Sequence, residues 1–250
     1  MRNKKVKASI LIIGNEILSG RTQDLNVAFL SKWLNQNCGI SIEEVRVIPD
    51  IEKKIIKNVV DLSKNFNYVF TTGGIGPTHD DITAKSISKA FNLKYGFHKE
   101  AYKILETYYG KIKFNDGRKK MAKMPTMSKL IYNPSSAAPG FKIKNVFCLP
   151  GVPLILQSMI GNCKKYLVKG SKTLSVSINL KTVESKIAKE LEQLQKKYKK
   201  NLEIGSYPFF RLGIVGVSIV LSSSNKKKIK LCKMEILKMV AKKKLNLFKS

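Results

Sequence analysis

A run of glycines directly after a short apolar strand is the feature that most limits what this chain can fold into. The strand signal covers Tyr68–Thr72 and continues into residues 71–83, whose sequence is TTGGIGPTHDDIT. Glycine tolerates positive φ and lets the backbone approach an anion closely. A helix predicted over residues 80–91 would add free N–H groups and the positive end of its dipole. The loop therefore predicts a phosphate-binding turn, with contacts expected at Gly73, Gly74, Gly76 and Thr78.

The same loop has an alternative, purely structural explanation. The spacing of Thr78 and Asp81 is that of a capping box, in which two side chains hydrogen-bond to the first turn of a helix. The loop has neither the Gly-Lys-Ser/Thr of a Walker loop nor the GxGxxG spacing of a dinucleotide-binding turn. Capping would account for Asp81, but not for three glycines, a proline and paired acids in one turn. We therefore favour a functional role for the loop.

Strand and helix signals alternate through the first two thirds of the chain. Residues 9–13 are predicted to form a buried strand, residues 24–37 have apolar side chains at helical spacing, and residues 42–48 alternate as a strand. Such alternation predicts a mostly parallel sheet with helices on its faces and ligands at the carboxyl ends of the strands. The later part is typical of a small α+β module. We therefore place one domain over residues 1–169 and a second over residues 170–250.

Asp50 follows the second predicted strand and is expected beside the glycine loop. Together with Asp81 it would supply carboxylate oxygens, which divalent cations such as Mg²⁺ prefer when they bridge phosphates. The alternative is that Asp50 caps the helix that starts at Ile51, and the local sequence alone favours that explanation.

Two later loops are candidates for a second phosphate contact. Residues 135–140 (SSAAPG) form a small-residue loop that would present backbone N–H groups to an anion. Residues 149–153 (LPGVP) form another strand-to-helix turn. Each is a weak signal by itself, because Pro-Gly turns are common. Their candidate contacts are Ser135, Ser136, Gly140 and Gly151.

The formal net charge of +30 comes almost entirely from lysine. Proteins that read nucleic-acid sequence favour arginine for contacts to guanine, and single-strand binders interleave aromatic residues with the charge. Neither pattern is visible, so we interpret the charge as a lysine-rich solvated surface that helps to attract an anionic substrate. We expect no nucleic-acid partner.

The cysteines and the apolar stretches indicate in which cellular compartment the protein is expected. The four cysteines are far apart without CxxC spacing, which argues against a zinc site or a disulfide framework and favours a reducing cytoplasm. No apolar stretch approaches the roughly 20 residues that a membrane span needs. We therefore expect a cytoplasmic protein with no membrane partner.

The motifs together resemble a known family. TTGGIGPTHDDIT resembles the signature of MoaB/Mog-type molybdopterin-binding domains, in particular the variant in the N-terminal half of competence/damage-inducible protein A (CinA). Residues 14–34 resemble the opening of that variant, and residues 136–141 and 149–153 match its later loops. The sequence GSYPFF at residues 205–210 resembles the small module that follows this domain in CinA and in FAD-synthase relatives.

The resemblance implies a three-layer α/β/α domain that holds a phosphorylated nucleotide or pterin. It further implies a metal-dependent hydrolase, using Mg²⁺ or Co²⁺, that splits ADP-ribose or a related nucleotide pyrophosphate. Asp50 and Asp81 would be its catalytic residues and its metal ligands. The other family positions carry over onto Gly73, Gly74, Gly76 and Asn26.

Other functions stay open. Members of the wider family adenylylate molybdopterin or insert molybdenum, and a non-catalytic nucleotide-binding module is a further alternative. The family continues LPGVP with a small residue, a glutamate and a methionine, whereas Leu154, Ile155 and Leu156 follow here. The missing carboxylate at Ile155 weakens the case for catalysis. The resemblance leaves a homo-oligomer open, and the amidohydrolase domain of full-length CinA is expected to be absent.

Overall fold

The computed structural model describes residues 5–211 and 213–248, so residues 1–4 and 249–250 of the predicted domains lie outside the described part. The chain divides into two compact units between Ser171 and Lys172. The predicted boundary, between residues 169 and 170, lies two residues earlier. Each unit has a buried apolar core of its own.

The first unit is an α/β structure. Its strands are β1 (Val6–Ile13), β2 (Ile40–Ile48), β3 (Tyr68–Thr72), β4 (Tyr95–Phe97), β5 (Lys123–Pro125), β6 (Lys129–Ile131), β7 (Gly140–Ile143) and β8 (Val146–Leu149). Its α-helices are α1 (Asn15–Leu18), α2 (Asn26–Cys38), α3 (Glu52–Asn65), α4 (Thr83–Ala90), α5 (Lys99–Lys113), α6 (Asp116–Lys120) and α7 (Pro153–Met159).

The main sheet has the strand order β2-β1-β3-β8-β7-β6. Strands β2, β1, β3 and β8 pair in parallel, whereas β7 and β6 are antiparallel additions at one edge. The predicted mostly parallel sheet is confirmed. Strands β4 and β5 form a separate two-stranded ladder.

Helices cover both faces of this sheet. Successive side chains of a strand point to opposite faces, and β1 illustrates the consequence. Leu11 and Ile13 belong to the core that α3, α4 and α5 complete, while Ile10 and Ile12 belong to the core that α2 and α7 complete. The unit is therefore the predicted three-layer α/β/α structure, with the carboxyl ends of its parallel strands at one edge.

The second unit is an antiparallel sheet with helices packed on it. Its strands, in the spatial order β10-β11-β9-β12, are β9 (Leu174–Lys181), β10 (Glu203–Arg211), β11 (Ile214–Ser223) and β12 (Asn246–Leu247). Helices α8 (Ala188–Tyr198) and α9 (Lys226–Lys242) contribute Leu191, Ile229 and Ile236 to a core shared with Val217 and Ile219 of β11. This is the small α+β module that the sequence predicts.

The four cysteines are buried and none forms a disulfide bond. Among the described residues, every helix is too short or too polar for a membrane span. Burial raises the pKa of Cys163 to about 12. This thiol therefore stays neutral at physiological pH and packs as a small apolar side chain.

Candidate functional site

A cavity of about 570 Å³ lies among the loops that follow the parallel strands of the first unit. Glu16 reaches it from the segment after β1, Gly73 from the loop after β3, and Gly151 from the loop after β8. This is where an open parallel sheet places its ligands. A cavity of this size holds a nucleotide-sized molecule.

The structure brings about half of the predicted site residues to this cavity. Those that line it are Gly73, Gly74, Gly76, Asp81, Ser136 and Gly151. Those outside its lining are Asn26, Asp50, Thr78, Ser135 and Gly140.

The glycine loop needs glycine for steric reasons. Gly73 has φ of +97°, and a Cβ there would lie 2.2 Å from the carbonyl oxygen of Ile13. Gly74 has φ of +67°, and its Cβ would lie 2.2 Å from Oγ1 of Thr83. A side chain at either position would therefore be strained in its backbone and would also overlap a neighbouring strand or helix.

The backbone of this loop leaves several amides free. The N–H of Gly73 donates to the carbonyl oxygen of Leu149 at 3.1 Å and so extends the pairing with β8. The next three N–H groups, those of Gly74, Ile75 and Gly76, have no acceptor in the described part of the chain. All three residues line the cavity. A concave run of unpaired amides is a favourable place for an anion such as phosphate.

Thr78 and Asp81 close a tight turn after the glycines. Oδ2 of Asp81 accepts the backbone N–H of Thr78 at 2.8 Å and lies 2.6 Å from its hydroxyl, which is also 2.6 Å from Oδ1 of Asp80. The capping explanation is wrong, because α4 begins only at Thr83 and has no side-chain cap. The predicted helix over residues 80–91 therefore starts three residues late, and both acids belong to the loop.

Asp81 remains available at the cavity wall. Its Oδ1 has no hydrogen-bond partner among the described residues, whereas Oδ2 is held by Thr78. A Cβ on Gly76 would lie 2.7 Å from Oδ2 of Asp81. Glycine at position 76 therefore lets this carboxylate fold back over the loop.

Asp50 joins two strand ends. Its Oδ2 accepts the backbone N–H of Asn15 at 2.9 Å, so it ties the end of β2 to the first residue of α1. It does not cap α3, whose N-cap is Ile51 and lacks a side-chain hydrogen bond. Burial raises the pKa of the Asp50 carboxyl, the hydrogen bond from Asn15 opposes this, and the negative charges of Glu16 and Asp80 raise it further.

The acids of the site are thus arranged differently from the predicted pair. Asp50 is electrostatically coupled to Glu16 and Asp80, and Asp80 reaches Asp81 through the hydroxyl of Thr78. The hydrogen bond from Thr78 lowers the pKa of Asp80, as do the charges of His79 and Lys120. Within residues 5–211 and 213–248, no three His, Cys, Asp or Glu side chains are grouped closely enough to hold a metal ion by themselves.

Asn26 acts on the loop after β8. Its side chain is buried, and Nδ2 donates to the carbonyl oxygen of Gly151 at 2.8 Å. Gly151 in turn packs beside Gly73, since a Cβ on Gly151 would be in van der Waals contact with the Cα of Gly73 at 3.4 Å. Asn26 therefore positions a cavity loop against the glycine loop instead of lining the cavity.

The loop over residues 135–140 differs from the prediction. The N–H groups of Ser135 and Ser136 are already taken by Oδ1 of Asn133, at 2.9 and 3.1 Å. Nδ2 of Asn133 donates to Oγ of Ser136 and to the carbonyl oxygen of Ala138. The prediction that these two amides face an anion is wrong, because the buried Asn133 uses them to shape the turn. Gly140 is also structural, since its Cβ would lie 2.5 Å from the carbonyl oxygen of Cys148.

The cavity lining includes one position that the sequence marks as a departure from the family and several residues that the sequence did not predict. Ile155 does line the cavity, so the position where the family carries a glutamate faces the candidate site. Glu16 could have been found, because it is an acid three residues after the predicted first strand. Tyr109 and Met121 had no such signal, because they come from the kinked end of α5 and from a loop far along the chain.

Comparisons with known proteins cover both units. The model of the family described as "Probable molybdopterin binding domain" matches residues 9–169, and that described as "FAD synthase, middle domain" matches residues 172–249. A protein of Archaeoglobus fulgidus is 34% identical over 221 residues, which are 88% of this chain and 92% of that protein. A protein of Caenorhabditis elegans named "Probable FAD synthase" is 31% identical over 226 residues, which are 80% of this chain but 43% of that protein.

A solved structure is also similar to this chain. The protein CinA of Thermoplasma acidophilum, described as having unknown function, superimposes with a TM-score of 0.61 at 30% sequence identity. The match covers 66% of this chain and 99% of that protein. The likeness therefore extends over a share of the chain close to that of the first unit.

Proposed function

The chain belongs to the family of probable molybdopterin-binding domains, and from this premise we propose that its first unit binds a phosphorylated nucleotide or pterin in the 570 Å³ cavity. One observation carries the proposal. Three consecutive amides, those of Gly74, Ile75 and Gly76, line the cavity without an acceptor in the described chain. A phosphate group would satisfy all three.

Charge and hydroxyl groups support the same ligand class. The net charge of +30 favours the encounter with an anionic small molecule. Ser136 lines the cavity, and its hydroxyl, already an acceptor for Nδ2 of Asn133, still has a proton to donate to a second phosphate. Gly151 supplies a surface without a side chain on the opposite loop.

We further propose that the bound compound is a nucleotide pyrophosphate such as ADP-ribose, and that this protein hydrolyses it with a divalent metal. The donor chemistry fits Mg²⁺ or Co²⁺, since Asp80 and Asp81 both contact the hydroxyl of Thr78 and Asp50 interacts electrostatically with Asp80. With fewer than three grouped ligands in the described chain, phosphate oxygens would have to complete the coordination. When bound, such a metal supplies charge neutralisation and a more acidic water.

The chain's own groups have separate roles in this proposal. Asp81 would bind the metal through its free Oδ1 while Thr78 holds Oδ2 in place. Asp50 would do so from the end of β2, which β1 separates from β3, and the hydrogen bond from Asn15 fixes its orientation. The free amides would stabilise the negative charge that grows on the phosphoryl oxygens during bond cleavage.

A turnover assay tests the hydrolase proposal. The protein is incubated with ADP-ribose, or with FAD, in the presence of Mg²⁺ or Co²⁺, and release of AMP is followed. We expect AMP from the wild type and no activity with a chelator. Asp81→Asn should lose at least about tenfold, because even groups that only orient metal ligands contribute about 10–100-fold. Asp61→Asn is the matched control, because Asp61 pairs with Arg46 on the surface of α3. No AMP from the wild type, or an unchanged rate in Asp81→Asn, would contradict the proposal.

Two alternatives to the hydrolase proposal can be tested with the same proteins. Molybdopterin binding is supported by the family description, and it predicts that a pterin phosphate binds while no pyrophosphate is split. A non-catalytic nucleotide-binding module is supported by Ile155, which lines the cavity where the family has a carboxylate. It predicts that ADP-ribose raises the melting temperature of the wild type without releasing AMP.

A further inference from the structure

An apolar wall with an aromatic ring lines the same cavity as the glycine loop. It is formed by Tyr109, near the end of α5, and by Met121, just after α6. Both side chains are partly buried and pack against the core on the α3–α5 face of the sheet. Neither the phosphate loop nor the cluster of acids explains why a tyrosine faces the cavity.

A cation supports the ring of Tyr109. The guanidinium carbon of Arg118 lies over this ring, 4.1 Å from its centroid, a geometry typical of a cation–π contact. Arg118 also donates to the carbonyl oxygen of Lys113, and its N–H is held by Oδ1 of Asn115 at 3.0 Å. Arg118 is outside the cavity lining, whereas Tyr109 belongs to it. The ring is therefore held from behind by protein and is accessible from the cavity.

A break in α5 accompanies this arrangement. Gly110 has φ of 70° and ψ of 155°, which are not helical values, so the helix kinks directly after Tyr109. A Cβ on Gly110 would meet nothing within 4 Å, so backbone conformation and not crowding favours glycine there. The hydroxyl of Tyr109 has no hydrogen-bond partner in the described part of the chain.

The segment behind the ring is fastened to the phosphate loop. A Cβ on Gly117 would lie 3.3 Å from the carbonyl oxygen of Pro77, so α6 packs directly on the residue after the glycines. Nζ of Lys120 donates to the carbonyl oxygen of Thr78. These contacts fix the segment that carries Arg118 and Met121 beside the glycine loop.

We infer that Tyr109 is the platform on which the heteroaromatic base of a nucleoside diphosphate stacks while its phosphates occupy the amides of residues 74–76. The inference rests on the proposed nucleotide binding. It assigns to Tyr109 the selection of ligands that carry an aromatic base. Aromatic side chains hold a base by its face and tolerate base identity. The free hydroxyl of Tyr109 can pair with a polar group of the ligand. The apolar side chain of Met121 widens the surface that the base covers.

Calorimetric titration of the whole chain with ADP and with inorganic pyrophosphate, both in Mg²⁺, tests the inference. Tyr109→Leu should weaken ADP binding by at least about fivefold while leaving pyrophosphate binding within about twofold, whereas Tyr109→Phe should retain most of the ADP affinity. Tyr108→Leu is the matched control. Tyr108 is the exposed neighbour that contacts the Tyr109 ring edge and lies outside the cavity lining.

The outcomes separate this inference from the proposed function. If the wild type binds ADP and Tyr109→Leu binds it equally well, the platform is wrong while nucleotide binding stands. If the wild type binds neither compound, the proposed function fails and the platform fails with it. Should Tyr109→Leu not fold, Tyr109→Trp provides the test, because ADP must quench the fluorescence of the introduced indole and pyrophosphate must not. Absence of that difference would overturn the inference.

Discussion

Replacing Gly73 by alanine should destabilise the first unit more than an equivalent change elsewhere. At φ of +97° an alanine is strained, which costs about 1–3 kcal/mol. Its Cβ would also lie 2.2 Å from the carbonyl oxygen of Ile13, a backbone atom of β1 that cannot rotate away. Displacing packed backbone destabilises the folded state by about 1–3 kcal/mol more. Alanine also makes the unfolded chain less flexible, which offsets less than about 1 kcal/mol of this loss. We expect a net loss of roughly 3 kcal/mol.

Gly20→Ala separates backbone strain from steric overlap as causes of the lost stability. Gly20 has φ of +72°, and a Cβ there would meet nothing within 4 Å. This variant should therefore carry backbone strain alone and lose roughly 1 kcal/mol. At about 2–4 °C per kcal/mol for a unit of this size, the melting temperature should fall by about 6–12 °C in Gly73→Ala but by only about 2–4 °C in Gly20→Ala.

The assay can be confined to the first unit. Trp33 is the single tryptophan, and it packs beside the core on the α2 face of the sheet. Urea or thermal unfolding followed by its fluorescence therefore reports on this unit whether or not the second unit unfolds with it. If Gly73→Ala were no less stable than Gly20→Ala, the argument that β1 and the glycine loop are in steric contact would be refuted.

Three further substitutions have defined outcomes. Asp50→Asn should raise the free energy of unfolding of the metal-free protein at pH 7, because the folded state raises the pKa of this carboxyl. The gain in stability should disappear as the pH falls below 3.8, the ordinary pKa of an aspartate. Equal or lower stability of the variant at pH 7 would count against this prediction. Asn133→Ala should lower stability by about 1–3 kcal/mol and raise the KM for ADP-ribose, because the turn that presents Ser136 loses its hydrogen bonds; thermal melting and initial rates measure both. Ile155→Glu should raise the rate of AMP release by about tenfold, whereas an unchanged rate would show that the missing carboxylate does not limit catalysis.

Much of the fold was predictable because its signals are local. The strand Tyr68–Thr72 is a short run of apolar and β-branched residues that ends at glycines, and the structure has these same bounds. The α/β/α layering follows from the alternation of strands and helices, because a buried parallel sheet needs cover on both faces. The position of the glycine loop at the end of this strand was also predictable, because strand and glycines are adjacent in the sequence.

The contacts within the site were less predictable because they join distant segments. The local sequence around Asp50 favours a helix cap over the predicted metal ligand, yet its carboxylate accepts a hydrogen bond from Asn15, which the sheet brings alongside. Oδ1 of Asn133 accepts the two amides that the sequence assigned to a ligand. Tyr109 reaches the cavity only because α5 kinks at Gly110 and α6 packs on the loop after the glycines. No local pattern encodes such pairings.

The proposed phosphate contacts are the amides of Gly74, Ile75 and Gly76. A titration of the ¹⁵N-labelled protein with ADP, followed by amide NMR shifts, examines these three groups directly. If they bind the phosphate, their resonances will shift the most and saturate together with the calorimetric binding curve. Saturable binding of ADP that leaves all three resonances in place would contradict it.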